Sequence, residues 1–106
     1  MAKYLIEASY TPEGLKGLLK EGGSGRREAI EQLVRSAGGT VEACYFVFGD
    51  DDVIIVVDLP DNASMAALSL TVSAAGGATS TVRVLLTAEE VDTAVHKTLD
   101  YRAPGR

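Results

Sequence analysis

Two charged residues interrupt segments that otherwise carry alternating or apolar side chains. Glu7 lies on the mixed face of a predicted first strand, and Arg83 interrupts an otherwise apolar predicted last strand. If these strands are antiparallel neighbours, the two charges face the same space and form an ion pair. Such a pair, once removed from water, costs desolvation free energy unless it also serves specificity or ligand binding. Structural pairing is the simpler interpretation, and ligand contact is the functional one.

Two further polar motifs have ordinary structural interpretations. The run Asp50–Asp52 could offer carboxylates to a hard cation, but consecutive side chains at a hairpin tip diverge, and Asp is favoured in turns. The stretch Gly22–Arg27 places backbone N–H groups and two guanidinium groups at a helix N-terminus, where anions can bind. It follows a helix and lacks the Lys-Ser/Thr ending of a P-loop. We therefore predict no metal site and interpret the second motif as a solvated linker.

The sequence contains one histidine, His96, and one cysteine, Cys44. A lone histidine does not build a typical zinc site, and no Ser-His-Asp, Cys-His or close paired-carboxylate motif can be assembled. His96 lies off the apolar stripe of the last predicted helix, so we expect it at the surface. Cys44 lies in an apolar run, which predicts a buried and unreactive thiol. We expect no cofactor, and the catalytic residues of any enzyme stay unknown.

Composition narrows the class of protein. The 106 residues have a formal net charge of -5, which opposes binding to nucleic acid phosphates. No apolar run reaches the roughly 18 residues that suggest a membrane span. The chain passes from Met1 directly into a strand pattern without an apolar leader. We therefore expect a cytoplasmic protein with no nucleic acid or membrane partner.

Hydrophobic periodicity predicts an α+β domain over residues 1–100 and a disordered tail over 101–106. Residues alternating with period two predict strands, and apolar residues at i, i+3, i+4 and i+7 predict helices. The predicted elements are a strand Ala2–Tyr10, a short helix from Pro12 that ends at Gly22, a helix that ends at Gly38, strands Thr40–Phe48 and Val53–Leu59, a helix capped by Asp61 and closed by Gly76, a strand Thr79–Leu86 and a last helix capped by Thr87.

This order is a β-α-β unit used twice. Because β-α-β crossovers are right-handed, we predict a ferredoxin-like split β-α-β fold: an antiparallel four-stranded sheet of order 4-1-3-2 with helices on one face. The third strand, Val53–Leu59, is apolar toward both faces. The helices can cover only one face, and a large exposed apolar patch is normally buried against a partner. We therefore expect a homodimer or higher oligomer that packs sheet against sheet.

Several of these stretches resemble the GYD domain family, over about Tyr4 to Val95. The family is named for a Gly-x-Tyr-Asp hairpin, and Gly49 and Asp52 match it while Asp51 stands where tyrosine is expected. The other matching stretches are Tyr10-Thr11-Pro12-Glu13-Gly14-Leu15, Leu59-Pro60-Asp61, Thr81-Val82-Arg83 and Leu86-Thr87-Ala88-Glu89-Glu90. The resemblance implies a ferredoxin-like fold related to dimeric α+β barrels, and it implies no particular activity.

Two functions fit these features. The first is an oligomeric small-molecule binding or assembly module, with its ligand between paired sheets or in the cleft below the first helix. Glu7, Tyr10, Tyr45 and Arg83 are the predicted ligand-binding residues. The alternative is a cofactor-independent enzyme of the dimeric α+β barrel type that acts on a small organic substrate, an inference that depends on analogy of fold.

Overall fold

The computed structural model describes all 106 residues of the chain. It contains four strands and three helices in the order β1 (Ala2–Tyr10), α1 (Pro12–Ser36), β2 (Thr40–Phe46), β3 (Val53–Leu59), α2 (Asn62–Ala75), β4 (Ala78–Leu85) and α3 (Ala88–Val95). The strands form one antiparallel sheet of order β2-β3-β1-β4. The predicted ferredoxin-like fold and its strand order are confirmed.

The register of the sheet separates two faces. On β1, Tyr4, Ile6 and Ala8 are buried beneath the helices, while the residues between them are only partly covered. Strand β3 alternates in the same way, because Ile55 pairs with Ile6 and is buried whereas Ile54 pairs with Glu7 and is not. We call the face that carries Glu7 and Ile54 the open face and the other the helix face.

Helix α1 contains a break that the sequence predicts. Thr11 caps it by accepting a hydrogen bond from the Gly14 N–H, and Pro12 occupies its first position. Gly22 has φ of 78° and ψ of 171°, a conformation that side chains with a Cβ rarely adopt, so it divides α1 into two segments. The prediction of a linker beyond Gly22 is wrong, however. The helix resumes at Gly23, so its axis is interrupted at a single residue.

The core lies between the helix face and the two long helices. Its members are Tyr4, Ile6, Ala8, Val34, Cys44, Val53, Ile55, Val57, Leu59, Met65 and Leu68. Asp61 caps α2 through hydrogen bonds from the N–H and hydroxyl of Ser64, both 2.8 Å long. Strand β2 ends at Phe46, two residues earlier than predicted, because the chain turns back so that the Val47 N–H bonds the Asp52 carbonyl.

Helix α3 differs from the other two helices because none of its residues is buried. A capping box between Thr87 and Glu90 begins it, as the sequence predicts. It ends at Val95, so Leu99 lies beyond the helix, as expected for a short helix that lacks tertiary packing. The chain is elongated, at 57 × 31 × 24 Å. None of its helices combines the length and apolar character needed to span a membrane.

Candidate ligand-binding cavity

A cavity of about 350 Å³ lies between the helix face of the sheet and the helices α1 and α2. Strands β1, β3 and β4 form its floor, and the second segment of α1 faces α2 across it. Thirteen of its 17 lining residues are hydrophobic. Ligand pockets in proteins have volumes of roughly 300–1,000 Å³, so this cavity has the size for a small ligand.

Small side chains leave this space open. Ala8 and Ala78 lie on the floor, and Ala29 and Ala75 line the walls on α1 and α2. Larger side chains at these inward positions would fill the volume, as they do in closely packed cores. The sequence contains this signal as alanines at core-facing positions, but it shows only once the elements are assembled.

One end of the cavity is closed by backbone. Gly14 in the first turn of α1 lies against Gly77, and a Cβ at Gly14 would stand 2.0 Å from the Gly77 carbonyl oxygen. The Thr11 N–H donates to the Gly77 carbonyl at 3.0 Å, and the Thr11 hydroxyl donates to the Gly76 carbonyl at 3.0 Å. These contacts join the start of α1 to the loop before β4.

Tyr10 is the one predicted ligand-binding residue that lines the cavity. It is the last residue of β1, and its backbone N–H donates to the Asp52 carboxylate at 2.8 Å. Burial raises the pKa of the Tyr10 phenol, and the positive charge of Arg26 partly opposes that rise. The phenol is therefore a neutral hydrogen-bond donor at the cavity at neutral pH.

Arg26 is the only charged residue of the cavity lining, and sequence reasoning missed it. The sequence predicts a solvated linker here, but the helix resumes after Gly22 and brings Arg26 to the cavity with its side chain 34% exposed. Its Nε lies 3.1 Å from Glu21 Oε1 across the break in α1. That contact lacks hydrogen-bond geometry, so a buried Nε–H is left without an acceptor.

The other three predicted residues lie on the open face, away from the cavity. Arg83 Nε and Glu7 Oε1 are 3.4 Å apart, which brings together the two charges that the sequence paired. The Arg83 side chain is 72% exposed, whereas that of Glu7 is 20% exposed. Tyr45 pairs with Ile54 on the outer strand β2 and is also largely exposed. The structure therefore separates Tyr10 from Glu7, Arg83 and Tyr45.

The other residues considered in the sequence, Cys44, His96 and the run Asp50–Asp52, lie in places that indicate structural roles or simple exposure. Cys44 is buried and His96 is exposed, as predicted, and burial raises the pKa of the Cys44 thiol. The Asp51 carboxylate accepts a hydrogen bond from the Ser9 hydroxyl, and the Asp52 carboxylate is bonded to the end of β1, so this run ties the hairpin to its neighbour strand. No three His, Cys, Asp or Glu side chains converge on a common point where they could hold a metal ion.

The fold and the cavity together define a small ferredoxin-like α+β module with an apolar internal space. The chain belongs to the GYD domain family, whose sequence profile matches residues 4–95. No curated protein matches the sequence significantly.

A solved structure with a similar fold is the crystal structure of the Mycobacterium tuberculosis leucine response regulatory protein (LrpA). The TM-score is 0.52 and the sequence identity is 13%, and the alignment covers 82% of this chain. It covers 51% of the regulator, so the chain spans about half the length of that protein. A likeness at this level of identity concerns the fold alone.

Proposed function

We propose that this GYD-family chain is a small-molecule-binding module and that its ligand occupies the cavity between the sheet and α1 and α2. The cavity itself carries the proposal: about 350 Å³ of mostly apolar space with three polar side-chain groups, those of Tyr10, Arg26 and Ser80, at its lining. Apolar pockets with a few placed polar groups are the usual form of ligand sites. The lining includes no carboxylate, imidazole or thiol, which favours binding over catalysis.

A neutral fluorescent probe, N-phenyl-1-naphthylamine, tests this proposal. We expect its fluorescence to rise on binding with one probe per chain, because an apolar cavity excludes water from the fluorophore. Ala29→Leu adds side-chain volume inside the cavity and should abolish the signal. Ala67→Leu is the matched control, since Ala67 is exposed on α2 and is absent from the lining. Undiminished binding to the Ala29→Leu variant would contradict the proposal.

We also propose that the module self-associates through the open face. Leu5, Ile54 and Val56 form an apolar strip there that is only partly covered. The surface of the single chain is 7401 Å², whereas a compact monomer of 11.1 kDa has about 5,700 Å². The excess exceeds the roughly 800 Å² that each partner buries in a standard interface.

The exposed apolar side chains of α3 and of the segment that follows it add to this unpartnered surface. Val91, Val95 and Leu99 are 45%, 71% and 83% exposed. A second copy of the chain is the partner that the symmetry of most oligomers favours. Sedimentation velocity at micromolar concentration tests this proposal, and we expect a dimer or larger species. A stable monomer in that experiment would exclude it.

A further inference from the structure

We propose that the cavity selects small apolar molecules that end in an anionic group such as a carboxylate, with Arg26 as the anchor of that group. This inference deepens the proposed binding function and depends on it. It begins from the composition of the lining, in which the single charged side chain is a cation and no acidic side chain is present. A charged ligand group that enters a mostly apolar space requires an opposite charge within it.

The hydrogen bonding of Arg26 provides the second observation. Its Nε is buried and has no hydrogen-bond acceptor, although it lies 3.1 Å from Glu21 Oε1. A buried N–H group without an acceptor costs free energy, so native structures rarely leave one in that state. A ligand carboxylate can accept from Nε–H and a neighbouring guanidinium N–H together, which is the geometry that arginine favours.

Tyr10 supplies a second donor for the same ligand group. Burial raises the pKa of its phenol, which is neutral at neutral pH in any case, and the residue lies close enough to Arg26 for the cation to oppose that rise. A neutral phenol donates a hydrogen bond to a carboxylate but has no charge to attract or repel it. The pair therefore supplies two polar donors to a cavity whose lining is mostly apolar.

Glu21 acts as an internal competitor for the anchor. It stands before the break at Gly22 and Arg26 stands after it, so the two side chains meet across the break in α1. Both side chains are about one-third exposed, which lets water weaken their attraction. A ligand anion would replace the Glu21 carboxylate at Arg26. Removing the negative charge of Glu21 should therefore strengthen ligand binding.

Calorimetric titration with three probes of equal chain length tests the inference: octanoate, 1-octanol and octylamine. We expect octanoate to bind best, since a charge-assisted hydrogen bond adds about tenfold or more in affinity over the neutral alcohol. Arg26→Met should remove the preference for octanoate while leaving octanol binding in place. Glu21→Gln should increase the affinity for octanoate. Arg35→Met is the matched control, because Arg35 lies on the same helix and lines no part of the cavity.

The outcomes separate this inference from the proposed function. Equal binding of octanoate and octanol to the unaltered protein would overturn the anion preference and leave the binding function intact. Binding of none of the three probes would overturn both. Circular dichroism checks that each variant is folded. If Arg26→Met does not fold, Arg26→Lys and Glu21→Gln retain the test, and a Glu21→Gln variant with unchanged preference for octanoate would overturn the role of Glu21.

Discussion

Cys44 shows how burial can make a reactive type of side chain unreactive. The thiol is buried on the helix face of β2, and burial raises its pKa more than the nearby Arg27 charge lowers it. Because the thiolate is the nucleophile, a raised pKa and poor access both slow its reactions. We expect a thiol reagent such as dithionitrobenzoate to react far more slowly with native protein than with urea-unfolded protein at pH 8. Equal rates would show that the thiol is accessible in the folded chain.

The ion pair between Glu7 and Arg83 should contribute little to stability, since one partner is mostly in water. Their contact of 3.4 Å joins a largely covered carboxylate to an arginine that is 72% exposed. Exposed ion pairs contribute about 0.2–1 kcal/mol. We expect a double-mutant cycle with Glu7→Gln and Arg83→Met to give a coupling free energy below about 1 kcal/mol in urea unfolding. A coupling of about 3 kcal/mol or more would show that the pair is buried by a partner.

Among the elements, α2 begins with a cap whose strength depends on pH. The Asp61 carboxylate accepts two hydrogen bonds from Ser64, and the one from the backbone N–H is the main cause of its lowered pKa. Because the folded pKa lies below the unfolded one, this stabilisation is complete above the ordinary carboxyl pKa. It is lost as the pH falls through the folded pKa.

Asp61→Asn isolates this contribution, because asparagine can still cap the helix but does not titrate in this range. We expect the urea midpoint of the unaltered protein to fall more between pH 6 and pH 3 than that of the variant. The difference between the two curves removes the contribution of all other carboxylates. Parallel curves would mean that the Asp61 cap makes no pH-dependent contribution.

The predictability of the elements follows from how local their causes are. The period-two alternation of β1 and the caps at Asp61 and Thr87 are local signals, and the structure confirms them. The sheet order follows from chain connectivity. The cavity does not follow from connectivity, because its lining comes from both long helices and three strands. Arg26 reaches the cavity only because α1 continues after Gly22 along this path. Of the predicted ligand-binding residues, the cavity includes Tyr10 alone.

At the scale of the whole molecule, we expect opposite results from a charge placed on either face of β3. Ile54 points to the open face, whereas Ile55 is buried beneath the helices. Ile54→Asp should yield a folded protein that sediments as a monomer, because the charge disrupts only the proposed interface. Ile55→Asp should unfold the chain, since an unpaired charge in the core costs several kcal/mol. An Ile54→Asp variant that keeps the oligomeric state of the unaltered protein would contradict the proposed interface.

The backbone contact between the first turn of α1 and the loop before β4 bears on how quickly molecules could exchange with the interior. Thr11 and Gly14 close one end of the cavity against Gly77, which is far from both of them in the sequence. Gly14→Ala places a methyl group where the Gly77 carbonyl oxygen now lies, so the two segments must separate. We expect stopped-flow measurements with N-phenyl-1-naphthylamine to show faster entry and faster release in this variant, and rates equal to those of the unaltered protein would contradict that expectation. The lifetime of a bound molecule would then depend on how often this main-chain contact opens. That opening can be followed directly through hydrogen exchange of the Thr11 amide.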